Sequence, residues 1–207
     1  MRRGSRLPLE TLAPYLLQVP DPPKPLDLAG VFGNTQPVEI EIGFGKGLFL
    51  LASALTHPQA NYLGVEIERK YQLFTANRIA KRNLANVRLV QADARTFLRD
   101  CIPAASVQAI HVYFPDPWWK KRHQKRRVFT DSFVAACARV LEPCGVLRVA
   151  TDVEEYFGII QELLRTQSSL REQLWFDADL PIAAATNFER KARERGHPIF
   201  RAAFGRT

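Results

Sequence analysis

From residue 38 onward, short apolar runs alternate with stretches of helical spacing. Residues 38–42, 62–66, 87–91, 109–114 and 145–151 read as strands, because they are short, apolar and rich in β-branched residues. Between them, residues 47–56, 69–83, 96–101, 129–141 and 153–167 read as helices. In the fourth of these, Phe129, Phe133, Ala136, Cys137 and Val140 recur at the spacing of one helix face. Residues 174–176 and 199–204 add two late strands. Strands and helices in strict alternation, joined by short links, predict an α/β fold: a mostly parallel, seven-stranded, doubly wound sheet with helices on both faces. Upstream, PDPPKP at residues 20–25 breaks the chain. Residues 1–25 are expected to form a short arm and linker, and residues 26–207 a single domain.

In such a sheet, ligands bind beyond the carboxyl ends of the strands, so the residues there carry the chemical question. The first run ends in Glu41-Ile-Gly43-Phe-Gly45-Lys-Gly47. Glycines at alternate positions allow a tight turn that a ligand approaches closely. The spacing is GxGxG and not the GxGxxG of dinucleotide sites, and an acid at Glu41 would repel a pyrophosphate. S-adenosylmethionine suits the turn, since it carries a sulfonium, a free amine and no phosphate. The second run ends in Glu66, placed to accept hydrogen bonds from ribose hydroxyls. The third ends in Asp93, which either receives the adenine amine or only caps the following helix. As an ordered set at successive strand ends, Glu41, Glu66 and Asp93 say more than any one of them.

The fourth run opens into FPDPWWKKRHQKRRVF, residues 114–129. Pro115 and Pro117 restrict the backbone on both sides of Asp116 and would fix its carboxylate. Trp118 and Trp119 either stack on a base or contribute to the core, although two core tryptophans fit poorly beside so many cations. The following KKRHQKRR has no acids to pair with and no amphipathic spacing. It reads as a loop that meets phosphates.

Charge supports that reading. The chain of 207 residues has a net charge of +8, which points to an acidic partner, nucleic acid before an anionic membrane. The cations cluster at Arg2, Arg3 and Arg6, at Lys120 to Arg127, and at Arg190, Lys191, Arg193, Arg195, Arg201 and Arg206. No basic amphipathic helix supports membrane binding. The cysteines, Cys101, Cys137 and Cys144, form no CxxC; buried free thiols in a reducing compartment and no bound metal are expected. With no signal segment and no long apolar run, a cytoplasmic protein is expected.

Taken in order, EIGFGKG, GVEIERK, QADA, FPDPWWKKRHQKRR, ATDVEEY and TNFERKARERGHPI resemble the tRNA (guanine-N7-)-methyltransferase family, TrmB type, over residues 38–199. The FPDPW–basic block and the TNFE segment are specific to that family, whereas the glycine motif is shared by many methyltransferases. The resemblance implies a Rossmann-like class I methyltransferase that transfers a methyl from S-adenosylmethionine to N7 of guanine 46 in the tRNA variable loop. It implies that Glu41, Gly43, Gly45, Gly47, Glu66, Asp93 and Asp116 contact the cofactor and that Asp116 is catalytic. Lys120, Asp152, Thr186, Asn187, Phe188 and Glu189 are implied as substrate contacts, and Arg122, His123, Gln124, Lys125, Arg126 and Arg127 as the tRNA-contacting segment. Trp119 stands where the family commonly has proline, and the N-terminal arm is short. The rival readings are an exocyclic-amine methyltransferase, whose [DN]PP[YFW] string differs in order from PDPW, and a non-catalytic RNA-binding module. Monomer and homodimer are both compatible with the sequence.

Overall fold

Strands form in the places where apolar runs predict them: β2 (Val38–Ile42), β3 (Asn61–Glu66), β4 (Val87–Gln91), β5 (Val107–Tyr113) and β6 (Leu141–Thr151). The computed structural model describes residues 7–175 and 196–207. Helices α3 (Leu48–Thr56), α4 (Arg69–Ala80), α5 (Ala94–Cys101) and α6 (Asp131–Val140) carry the chain from each of these strands to the next, so β2 to β6 lie parallel. After α7 (Glu154–Thr166), β7 (Leu170–Gln173) and β8 (Phe200–Arg206) finish the sheet antiparallel. With β1 (Leu16–Leu17) at one edge, the order across the sheet is β1-β4-β3-β2-β5-β6-β8-β7.

Among the described residues the sheet has eight strands where seven are expected. The extra strand is β1 (Leu16–Leu17), two residues of the N-terminal arm paired with Leu89 and Val90. Just before it, α1 (Leu9–Leu12) buries Leu12 against the sheet. Two residues carry no alternation, so no periodicity could reveal this strand. Strand β6 starts before residue 145 because Cys144 has φ 67° and the register shifts between Val107 and Ala109. A Cβ on Gly145 would stand 2.9–3.1 Å from the carbonyl oxygens of Glu142, Gln108 and Val107, tighter than most real Cβ contacts. The late strand expected at 174–176 forms instead at Leu170–Gln173, and Phe176 lies outside the described residues.

Two apolar layers flank the sheet. One gathers Leu12, Leu50, Leu51, Ala76, Ile79 and Leu89 beneath α1, α3 and α4. The other gathers Phe97, Leu98, Phe133, Cys137, Tyr156 and Ile160 beneath α5, α6 and α7. Short helix α2 (Leu28–Phe32), capped by the Asp27 carboxylate, adds Phe32 to the second layer. Cys101 and Cys137 are buried as expected, but Cys144 is exposed on the bulge that opens β6. Among the described residues, no helix is long and apolar enough to cross a membrane.

Candidate active site at the carboxyl edge of the sheet

Because β4, β3, β2, β5 and β6 are neighbours in that order, the acids at or just beyond their ends run along one edge as Asp93, Glu66, Glu41, Asp116 and Asp152. Gly43, Gly45 and Gly47 all have positive φ, at 73°, 50° and 64°. The chain turns there in a conformation that side chains rarely adopt. A Cβ on Gly47 would collide with Thr75 of α4. A Cβ on Gly43 would meet nothing within 4 Å, so open space lies beside the turn. The turn is braced from behind: Thr75 Oγ1 donates to the Gly45 carbonyl at 3.0 Å, and Arg78 donates to the Lys46 carbonyl.

Glu66 accepts from the Gly45 amide at 2.9 Å and from the Glu68 amide at 3.1 Å. Each of its oxygens keeps a lone pair for a ligand. Ile67, next in the chain, is 63% exposed and offers apolar surface at the rim. Glu41 is different. It is 4% exposed, and its Oε2 has no hydrogen-bond partner. Burial, helped by the charge of Glu66 and opposed by a hydrogen bond from the Leu50 backbone, pushes its pKa up to about 8. A buried acid with one oxygen left unpartnered suits a cationic ligand. The open turn, the orphaned Glu41 oxygen and the accepting Glu66 together fit S-adenosylmethionine.

Of the two roles left open for Asp93, the structure shows the helix cap. Its carboxylate caps α5 by accepting from the Arg95 amide at 2.9 Å. It also takes the Arg95 side chain in a two-pronged ion pair, with Nε–Oδ1 at 3.0 Å and Nη2–Oδ2 at 2.6 Å. The hydrogen bonds from Arg95 hold its pKa below the ordinary value, against the effect of partial burial. The remaining Arg95 nitrogen donates to the Lys125 carbonyl at 3.0 Å, which ties the third strand end to the basic segment.

Asp116 is exposed. It stands between two non-glycine residues with positive φ, Phe114 at 52° and Trp118 at 43°. Such backbone is costly, by about 1 kcal/mol or more per residue, and gathers at functional sites. The arch is anchored where the Phe114 amide donates to the Ala150 carbonyl at 2.7 Å. The basic run is a 3-10 helix over Lys121–Arg126 and not the expected open loop. It folds back onto the arch. Arg127 Nε donates to the Pro117 carbonyl at 2.7 Å and its guanidinium lies 5.1 Å from the centre of the buried Tyr156 ring. Arg126 lies 5.0 Å from the Trp118 ring centre, and His123 meets that ring edge-on at 5.7 Å. Lys120, Lys121, Arg122, Gln124, Lys125 and Arg126 are exposed. Trp118 is therefore a clamped strut, whereas Trp119 is 47% exposed.

Asp152 is half-buried after β6, where the buried Thr151 hydroxyl accepts from the Val153 amide at 3.3 Å. Thr186, Asn187, Phe188 and Glu189 lie outside the described residues. The sequence reading missed Arg95, whose only signal is an arginine two places after a strand-end acid. It also missed Glu39 and His111, polar residues at inward positions of β2 and β5, which the two-residue repeat of each strand marks as unusual.

Residues 35–202 match the family described as "putative methyltransferase". At 19% identity, the structure of the aminoglycoside resistance methyltransferase NpmB1 superposes with a TM-score of 0.63, covering 92% of this chain and 95% of that one. A SAM-dependent methyltransferase from Aquifex aeolicus superposes with a TM-score of 0.57 at 12% identity, over 87% and 88% of the two chains. These structures share the fold, and with the family match they define the class as a methyltransferase. A tRNA (guanine-N(7)-)-methyltransferase of Rhodopirellula baltica is 37% identical over 95% of this chain and 76% of its own. The chain belongs to the tRNA (guanine-N(7)-)-methyltransferase family.

Proposed function

We propose that the protein methylates N7 of guanine 46 in the variable loop of tRNA, in the cytoplasm. As a member of its family it is an S-adenosylmethionine-dependent enzyme that acts on guanine N7 of tRNA. The observation that carries the reading is the division of residues 114–127: a carboxylate on a strained, proline-bounded arch, with a folded block of exposed cations locked against it.

When bound, S-adenosylmethionine supplies a methyl group on a positively charged sulfur, open to direct displacement. Glu41 and the turn from Gly43 to Gly47 would hold its charged end, Glu66 would accept from the ribose hydroxyls and Asp93 from the adenine amine, and Ile67 would add apolar surface beside them. Guanine N7 bears a lone pair and no proton, so no general base is needed. The protein's work is positioning and electrostatics. Asp116 faces the base and offsets the positive charge that develops on its ring. Asp152 and Glu189 accept from the guanine N1–H and 2-amino group, a pattern adenine does not satisfy. Lys120 reaches the nucleotide beside it, and Thr186, Asn187 and Phe188 are proposed as further substrate contacts. Arg122, His123, Gln124, Lys125, Arg126 and Arg127 follow the RNA backbone, and Trp119 offers a face on which a displaced base stacks.

The test is methylation of unmodified tRNA with guanine or adenine at position 46, followed by borohydride reduction and aniline cleavage. Cleavage is expected at that nucleotide only when it is guanine. Methyl incorporation without cleavage would point to an exocyclic amine and reject the assignment.

A further inference from the structure

The ATDVEEY motif brings a second residue to the site besides Asp152. Its last member, Tyr156, lies in the first turn of α7 and is 0% exposed. Ile160 and Leu164 follow at four-residue intervals and are buried with it, so helix spacing fixes where the ring sits. The ring belongs to the apolar layer that also holds Phe129 and Phe133.

The Tyr156 hydroxyl is buried without a hydrogen-bond partner. Burial pushes its pKa up to about 12, against the charge of Arg127 and the nearby Phe129 backbone. A polar group that loses water and gains no bond is destabilising. It also holds nothing in place, so what Tyr156 contributes here it contributes through its ring.

That ring carries Arg127, whose guanidinium lies over it at 5.1 Å from the centre. The same side chain donates from Nε to the Pro117 carbonyl at 2.7 Å, and its amide closes the 3-10 helix on the Gln124 carbonyl at 2.9 Å. One half-buried arginine thus joins the arch, the basic segment and α7. The arch needs such a hold. Phe114 and Trp118 have positive φ, and strained backbone persists only where its surroundings enforce it. Because α7 begins two residues after Asp152, the contact also sets the arch relative to the strand end that carries this second acid.

We propose that Tyr156 is a positioning residue whose ring face holds Arg127 and, through the Pro117 carbonyl, fixes Asp116 against the reacting base. The proposal rests on the reading of Asp116 as the catalytic carboxylate. It assigns the role to the electron-rich face of the ring and none to the hydroxyl.

The test is single-turnover methyl transfer at saturating cofactor and tRNA, with Tyr156→Phe and with phenylalanines of increasing ring fluorination placed at residue 156. Fluorine withdraws charge from the ring face with little change of shape, and thermal melting checks that each variant is folded. Tyr156→Phe should transfer at the original rate. The rate should then fall with each added fluorine, about tenfold across the series, while the salt slope of tRNA binding and the calorimetric affinity for S-adenosylmethionine stay unchanged. Tyr156→Leu should be slowed by a similar factor, and Tyr156→Leu/Arg127→Ala should be no slower than Arg127→Ala alone. A rate independent of fluorination overturns the proposal, as does a Tyr156→Phe variant as slow as Tyr156→Leu. Losses that multiply in the double variant, or cofactor affinity that falls in step with the rate, overturn it as well. Asp116→Ala separates the two readings. If it transfers at the normal rate, the arch is not catalytic and the proposal falls with it. If Asp116→Ala is slow and fluorination has no effect, only the proposal falls.

Discussion

The two halves of the site are built on opposite physical terms. On the side of β2, β3 and β4, the groups are acids, held by backbone amides and set into or against the core; Glu41 is 4% exposed and Glu66 7%. On the far side of Asp116, the groups are cations on a short 3-10 helix, exposed except for the few that lock it down. Burial makes a group such as Glu41 a strong individual contact for a cation and one sensitive to protonation. Exposure makes each cation individually weak and sensitive to salt. A small, charged, invariant ligand calls for the first kind of site. A long polyanion calls for the second, where many modest contacts add up.

This contrast can be broken or sharpened by experiment. The largest effect is expected at the border. Asp116→Ala should slow single-turnover methyl transfer by about 10²–10³-fold, the range for losing one preorganised electrostatic partner, with tRNA affinity nearly intact. Normal turnover would remove Asp116 from the mechanism.

On the acid side the expected signal is pH. Below about pH 8 Glu41 holds a proton that a cationic ligand must displace. Cofactor affinity should therefore rise about tenfold per pH unit up to that point and then level, with a proton released on binding. Calorimetry in buffers of different ionisation enthalpy counts that proton. The folded-state pKa is raised, so in the ligand-free protein Glu41 stabilises the fold at low pH. That stability is lost as pH rises from about 4.5 towards 8. Glu41→Gln should remove this slope.

On the basic side, Lys121→Ala/Arg122→Ala/Lys125→Ala should lower the salt slope of tRNA binding by about 2, near 0.7 for each single-strand phosphate contact. Transfer from bound complexes should stay normal. Arg127→Ala should behave differently and slow transfer as well, because it also unpins Pro117. The smallest effect is expected at Trp119→Ala, a loss of roughly 1 kcal/mol of tRNA affinity if one base stacks there. Trp118→Ala should instead loosen the whole segment, and susceptibility to proteolysis near residue 120 would report it.

The parallel core of the fold and the acid edge were legible because both follow from local rules. Runs such as VEIEI and VRLVQ declare strands, and topology then places whatever follows them. Glu41, Glu66, Asp93 and Asp116 needed no more than that. What stayed hidden depended on contacts distant in the chain. Strand β1 exists because Leu89 and Val90 offer an edge to Leu16 and Leu17. The bulge at Cys144 answers to the carbonyls of β5. The fold of the KKRHQKRR run is set by Pro117, Trp118 and Tyr156 and not by its own spacing. The difference between Trp118 and Trp119 had no sequence signal, since adjacent identical side chains are told apart only by what packs on them. His111 was readable as an odd polar residue in an apolar strand, but its partner Glu39 lies 72 residues away in the chain and only the sheet brings the two together.

Arg95 gives the two halves a common currency. Its guanidinium divides its donors between the Asp93 carboxylate and the Lys125 carbonyl. A ligand that competes for Asp93 changes how firmly Arg95 holds the basic segment, and a polyanion that shifts the segment changes what Asp93 has to offer. Thermodynamic linkage makes such an influence reciprocal: whatever factor one ligand imposes on the affinity of the other is returned unchanged. The order in which donor and acceptor arrive, and the ease with which the spent donor leaves a still-bound tRNA, would then depend on one half-buried arginine that belongs to neither pocket.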